Sequence, residues 1–310
     1  MRSLVKNMLT IFFIFIFALL ILAGVMVWYY PLDVYEQLSR IGLWMARFKK
    51  AMISASRGRL VYWQGGTGPT VVLLHGANDQ AGSWVQTAKS LKQKYRVLVP
   101  DLPGHGSSEP LKGMLSIGDV LDGIERLLQA ELHTEKATIV GNSMGGWVAL
   151  LYALRHPDCV SHVVLENGVA IRREGIQVTM IPSNRAEARM MMEALTGPDA
   201  PRVPIFVLDH LVRRAPTSPL ARLIQSGSEG FSLEGRLHEI SVPVTLLWGE
   251  ADQLLPLAYG KKVADQLPVA TLKVIPRCGH VPHRECRARF LPLLEESLYD
   301  VPKGSANVLP

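Results

Sequence analysis

From Leu9 to Val27 the chain is apolar at every position except Thr10. At 1.5 Å per residue this run spans about 30 Å, the thickness of one bilayer hydrocarbon core. Arg2 and Lys6 precede it, Trp28-Tyr29-Tyr30 follow where aromatic side chains settle at a membrane surface, and Pro31 closes it. The pattern predicts a transmembrane anchor over residues 9–30 behind a basic tail at 1–8. A cleaved signal peptide is the competing reading. Its apolar core runs about 7–15 residues and ends in an A-x-A-like site, whereas this run is longer and the nearest candidate, ending at Ala23, has Ile21 third from its end.

Beyond Pro31, Val34, Leu38, Ile41, Met45, Phe48 and Met52 recur at alternating steps of four and three. This spacing predicts an amphipathic helix over 33–52, within a juxtamembrane segment at 31–55. Trp44, Arg40, Arg47 and Lys50 suit a bilayer interface; a seam pairing two copies through residues 9–52 and packing on the chain's own domain fit the same spacing.

From Leu60 onward, short apolar runs alternate with helical patterns. Leu60–Trp63, Thr70–Leu74, Tyr95–Pro100, Ala137–Val140, His162–Glu166, Val242–Gly249 and Thr271–Ile275 read as strands; Ser116–Leu132 and Trp147–Leu154 read as helices. Thr70–Leu74 is apolar on both faces, as buried parallel strands are. The alternation predicts a mostly parallel sheet with helices on both faces, in a domain covering 56–310. Between about 169 and 240 the rhythm breaks into two helical segments, Asn184–Leu195 and Ile205–Arg214, which predicts a helical cap inserted in the sheet. Met180 and Met190–Met192 there could line an acyl chain, although at least half of them are expected to bury against the sheet.

Charge sharpens this picture. The net charge of +6 arises within residues 1–60, which carry eight Lys/Arg and two Asp/Glu; the remainder carries 25 of each sign. A basic balance confined to the membrane-proximal end points to lipid headgroups and away from nucleic acid. Arg2 and Lys6 favour an N-in orientation with the domain non-cytoplasmic, against Arg40, Arg47, Lys49 and Lys50 beyond the span. Cys159, Cys278 and Cys286 are too scattered for a disulfide framework and have no C-x-x-C metal spacing.

The candidate chemistry centres on Gly141-Asn142-Ser143-Met144-Gly145-Gly146, a G-x-S-x-G placed between a strand and a helix. The strained turn of a nucleophile elbow needs small residues beside the serine. A bare match arises by chance in roughly one chain in ten of this length, so partners must be found elsewhere. His75-Gly76-Ala77 follows a buried strand, and the Ala77 N–H with the Met144 N–H could form a two-donor oxyanion hole. Asp252 and His280 each follow a later strand, in the order Ser, Asp, His. Asp101 and His105 lie in a tight loop ahead of the serine and are expected to be structural; Glu250 and His283 are near decoys, and Trp84 is expected in the core.

Together, HGAND at 75–79, DLPGHGSS at 101–108, GNSMGG at 141–146, WGEAD at 248–252 and GHVPH at 279–283 resemble the α/β-hydrolase fold family over residues 57–300. The resemblance implies Ser143 as nucleophile, His280 as general base then acid, Asp252 as its orienter, Ala77 and Met144 as oxyanion donors, and no metal or organic cofactor. Haloalkane dehalogenases and epoxide hydrolases use an Asp where this chain has Ser143. The meta-cleavage C–C hydrolases share GNSMGG, but usually carry aromatic residues after the histidine, unlike Val281-Pro282-His283. The anchor, and the stretch Met180-Ile181-Pro182-Ser183, look more like membrane-bound monoacylglycerol lipases and bacterial phospholipases A. The expected function is therefore a membrane-anchored lipid esterase, with a C–C hydrolase and a non-catalytic scaffold as alternatives.

Overall fold

The computed structural model describes residues 2–171, 178–227 and 230–299. Met1, residues 172–177 and 228–229 of the expected cap, and 300–310 of the expected catalytic domain lie outside the described residues. The apolar run forms helix α1 (Arg2–Tyr29). An 18-residue stretch within Lys6–Tyr29 has a mean hydropathy of 3.0 and is unburied, long and apolar enough to cross a membrane. The expected separate tail at 1–8 is instead helical from Arg2, because Ser3 to Met8 contains no helix breaker.

Pro31 opens α2 (Pro31–Met45), in the first turn where its missing N–H costs nothing, with Asp33 beside it against the helix dipole. The helix expected over 33–52 ends seven residues early. Arg47 takes φ 61°, and Lys49–Ala55 forms strand β1, paired antiparallel with β2 (Gly58–Gly65) from Lys49↔Gln64 to Ala55↔Gly58. Phe48 and Met52 fit a helical spacing, but a full ladder to β2 satisfies more backbone groups than two frayed helical turns would.

The chain continues through β3 (Thr70–Leu74), α3 (Val85–Leu91), β4 (Arg96–Pro100), α4 (Ile117–Leu132), β5 (Ala137–Asn142), α5 (Met144–Arg155) and β6 (Val160–Glu166). The cap follows as α6 (Arg185–Leu195), α7 (Ile205–Arg214) and α8 (Pro219–Ser226). The sheet resumes with β7 (Val244–Gly249), α9 (Leu257–Gln266) and β8 (Ala270–Ile275), and ends in α10 (Pro282–Glu285) and α11 (Arg287–Tyr299). The eight strands lie in the order β1-β2-β4-β3-β5-β6-β7-β8; β2 is antiparallel to its neighbours and the rest are parallel.

All residues of β3, β5 and β7 are buried. Alternate side chains feed two cores. Val72, Leu74 and Ile139 pack with α4 and α5 on one face, and Val71, Leu73 and Val140 pack with Leu43 of α2, Trp84 and Phe290 of α11 on the other. Parallel strands all end at one sheet edge, so the loops after β3, β5, β6, β7 and β8 converge there.

The N-terminal helices are joined to the cap. Trp28 stacks on Phe206 of α7 at 5.2 Å between ring centroids. Arg214 of α7 donates to Glu36 at 2.7 Å, and Arg213 donates to the Tyr29 carbonyl at 2.6 Å. The His210 Nδ1 accepts from the Leu32 N–H, while its Nε2 lies 3.1 Å from Asp33.

Candidate active site

Ser143 sits between β5 and α5 with φ 52° and ψ −118°, a region that L-residues rarely adopt. The turn is held from outside: the Ser143 N–H donates to the Glu166 carbonyl, and the Ser143 carbonyl accepts from Gly146 and Val169 N–H groups. A Cβ at Gly141 would stand 2.3 Å from the Gly145 carbonyl oxygen, and one at Gly145 would stand 2.4 Å from that of Leu74. The requirement for small residues around the serine is thus a backbone-to-backbone constraint.

β3 brings His75-Gly76-Ala77 alongside. A Cβ at Gly76 would lie 2.9 Å from the Asn142 Oδ1 and 3.2 Å from the Ser143 Cβ, so a side chain here would press on the serine and its neighbour. His75 fixes the loop: its Nδ1–H donates to the Gly76 carbonyl and its Nε2 accepts from the Leu102 N–H. Complete burial holds the His75 pKa below its ordinary value, which keeps the ring neutral and Nε2 an acceptor. The N–H groups of Ala77 and Met144 have no acceptor among the described residues, and Met144 opens α5, where the helix dipole favours negative charge.

Asp252 and His280 meet below the cap. The His280 Nδ1–H donates to Asp252 Oδ2 at 2.7 Å, and both side chains are buried. This tautomer leaves Nε2 as the acceptor. Nε2 has no partner among the described residues, so the Ser143 hydroxyl is not hydrogen-bonded to it in this structure; such contacts often tighten only around substrate. Asn142 links the two loops, its Nδ2 donating to the His280 carbonyl at 3.0 Å and to that of Glu166 at 3.2 Å. The cap contributes as well: Leu195 and Ala194, at the end of α6, accept from the His280 and Gln253 N–H groups.

A further residue was not singled out by sequence reasoning. Asn167, buried and at φ 45° just after β6, donates from Nδ2 to Asp252 Oδ2 and accepts from the Gly249 N–H. With the Leu254 and Leu255 N–H groups on Oδ1 and Asn167 and His280 on Oδ2, the Asp252 carboxylate is held in place by four donors. The only sequence signal for Asn167 is its place directly after a strand ending at the site edge.

A family model described as the alpha/beta hydrolase family matches residues 71–293, well over half of the chain. The chain belongs to the alpha/beta hydrolase family. It is similar to a pimeloyl-[acyl-carrier protein] methyl ester esterase of Nitrosomonas europaea, at 29% identity over 73% of this chain and 94% of that one. It is also 29% identical to a 2-hydroxy-6-oxononadienedioate/2-hydroxy-6-oxononatrienedioate hydrolase of Paraburkholderia phymatum, over 74% of this chain and 86% of that one. Among solved structures, a bacterial membrane phospholipase A shares its fold at TM-score 0.73 and 23% identity, covering 95% of this chain and 99% of the other. A match of that extent cannot leave out both α1, of 28 residues, and α2, of 15.

In this alpha/beta hydrolase the decoys have structural partners. His283 Nδ1 pairs with the Glu166 carboxylate at 2.8 Å and its ring stacks on buried Trp84 at 3.7 Å. Glu250 is exposed and accepts from the Arg277 N–H. Asp101 accepts from Ala81 and Ser107 N–H groups, fixing the loop after β4, and burial pushes His105 down to about 3. Of the cap methionines, Met191 is buried and Met190 is 50% exposed.

The expectation of no disulfide framework holds for Cys159, which is free, but Cys278 and Cys286 are bonded to each other. Glu285 lies at metal-ligand spacing from both sulfurs; with those sulfurs joined, neither is available as a thiolate. The short helix α10 folds the chain back on itself and so brings two cysteines eight residues apart within bonding distance. The bond closes the loop carrying His280. Replacing both cysteines by alanine is expected to lower stability by about 2.5 kcal/mol on the loop-entropy model and to reduce hydrolytic turnover through a looser His280, as thermal unfolding and kinetics will show.

Proposed function

We propose that this alpha/beta hydrolase is a membrane-anchored serine hydrolase of lipid carboxylic esters: monoacylglycerols, lysophospholipids or phospholipids. The observation that carries this is the stacking of Trp28, at the end of the unburied apolar helix α1, on Phe206 of the cap. The cap in turn holds the Asp252 and His280 loops. A span ending on the cap would place the cleft where an acyl chain leaves the bilayer. The fold shared with a membrane phospholipase A over 95% of this chain supports the same reading.

In this mechanism His280 Nε2 takes the Ser143 proton as the hydroxyl oxygen attacks the ester carbonyl. Asp252 stabilises the imidazolium, and Ala77 and Met144 N–H groups receive the oxyanion. His280 then protonates the leaving alcohol, and water repeats the cycle on the acyl-enzyme. The Cys278–Cys286 bond suits an oxidising compartment, and so a domain on the non-cytoplasmic side of the membrane.

Lipid extracts taken before and after addition of the full chain, with Ser143→Ala as control, test the proposal. A fall in one glycerolipid class with release of fatty acid is expected; unchanged lipids would remove it. The likeness to the Paraburkholderia enzyme favours, as a second reading, hydrolysis of a C–C bond, so a dienoate ring-cleavage product is assayed in parallel.

A further inference from the structure

A second site lies away from the triad, where the end of α2 meets the sheet edge formed by β1 and β2. There a groove of about 1190 Å³ is lined by four cations, Arg40, Arg47, Lys49 and Lys50, and by Trp44 and Trp63, with no carboxylate in its wall. None of Ser143, Asp252 and His280 lines it.

Two of these side chains have donors without acceptors. Arg40 is largely buried, and its Nε and Nη2 have no hydrogen-bond partner among the described residues. Its ion-pair partner Glu36 holds Oε2 3.9 Å from Nη2, beyond hydrogen-bond reach, while Oε1 of the same carboxylate accepts from Arg214 at 2.7 Å. Trp63 is 6% exposed, and its Nε1–H, a donor with no accepting role, is buried without a partner. An unsatisfied buried guanidinium is costly, and an oxyanion is the group that would satisfy it.

The groove adjoins an apolar stripe. Leu38, Ile41, Trp44 and Met45 are 61%, 48%, 69% and 71% exposed on the outer face of α2, while Leu43 and Ser39 face the domain. An exposed apolar helix face bordered by cations is the arrangement that lies in a bilayer interface, and this one follows α1 directly. We propose that the groove binds the phosphate oxyanion of an anionic lipid headgroup, with the outer stripe of α2 immersed beside it. This rests on the membrane reading above. The site gives the enzyme a preference for anionic leaflets that is independent of its ester chemistry.

The full chain, delipidated in detergent micelles, would be offered equal phosphatidylglycerol and phosphatidylcholine and examined by native mass spectrometry. The wild type is expected to retain phosphatidylglycerol with about tenfold preference, and Arg40→Gln to lose that preference. Trp63→Phe, which keeps a ring and removes the N–H, should weaken retention severalfold. Lys112→Gln, an exposed cation elsewhere, should match the wild type, and thermal unfolding confirms that each variant folds. Equal retention of both lipids by the wild type, or undiminished selectivity in both Arg40→Gln and Trp63→Phe, overturns the proposal. Displacement of the lipid by inorganic phosphate at equal concentration overturns it too, by assigning the groove to small free anions. Sedimentation with pure phosphatidylcholine vesicles reads the apolar surfaces of α1 and α2 without the groove, so a wild type that sediments but shows no lipid preference rejects the groove and leaves the anchor standing.

Discussion

Ser143→Ala is expected to reduce hydrolysis of short p-nitrophenyl esters by roughly five to six orders of magnitude and to abolish labelling by a fluorophosphonate probe. The protein should stay folded. The substitution removes one oxygen and keeps the Cβ, and the elbow is held by backbone bonds from Ser143 to Glu166, Gly146 and Val169 rather than by the hydroxyl. Ser143→Gly supplies an internal check. Residues strained as Ser143 is, at φ 52°, cost about 1–3 kcal/mol, and glycine relieves much of that. The glycine variant should therefore unfold at a higher temperature than the alanine variant while being equally inactive. Retained turnover in either would show that another group performs the attack.

Gly145→Ala is expected to be among the most damaging single-methyl changes at the site. Its Cβ would stand 2.4 Å from the Leu74 carbonyl oxygen and 2.7 Å from that of His75. Both are backbone atoms of the buried central strand and its loop, so no side-chain rotation relieves the clash. Separating α5 from β3 should cost at least about 3 kcal/mol, a fall of roughly 6–12 °C in Tm for a domain of this size, and would shift Ser143 off its partners. Gly24→Ala, in α1 with nothing within 4 Å, serves as the neutral control. Equal Tm values for the two variants would mean that the elbow tolerates displacement.

The alternation of strands and helices from Leu60 to Ile275 was legible because each element is defined by local periodicity, and β3 is buried on both faces as its apolar run implies, as are β5 and β7. Cap helices α6 and α7 were legible for the same reason, with Asn184 accepting from the Glu187 N–H at the start of the first. Helix α8 was not, since Pro219 and a short amphipathic stretch resemble a loop until Arg222 reaches the carbonyls of Gly104, Pro110 and Gly113. Strand β1 was misread because Met45, Phe48 and Met52 satisfy a helical spacing. What makes 49–55 a strand is β2, a partner no local window contains.

The sequence by itself determined the family's elements, their order, and Ser143, Asp252 and His280 as candidates, because strand and helix periods and turn residues are properties of short stretches. Tertiary structure alone decided which histidine meets which carboxylate. His280 and His283 are three residues apart, yet one meets Asp252 and the other Glu166. It likewise placed Asn167 beside Asp252, joined Cys278 to Cys286, and docked α1 and α2 on the cap through Phe206, His210 and Arg214. Each of these depends on where separate elements come to rest against one another, and contacts of that kind leave no periodic trace along the chain.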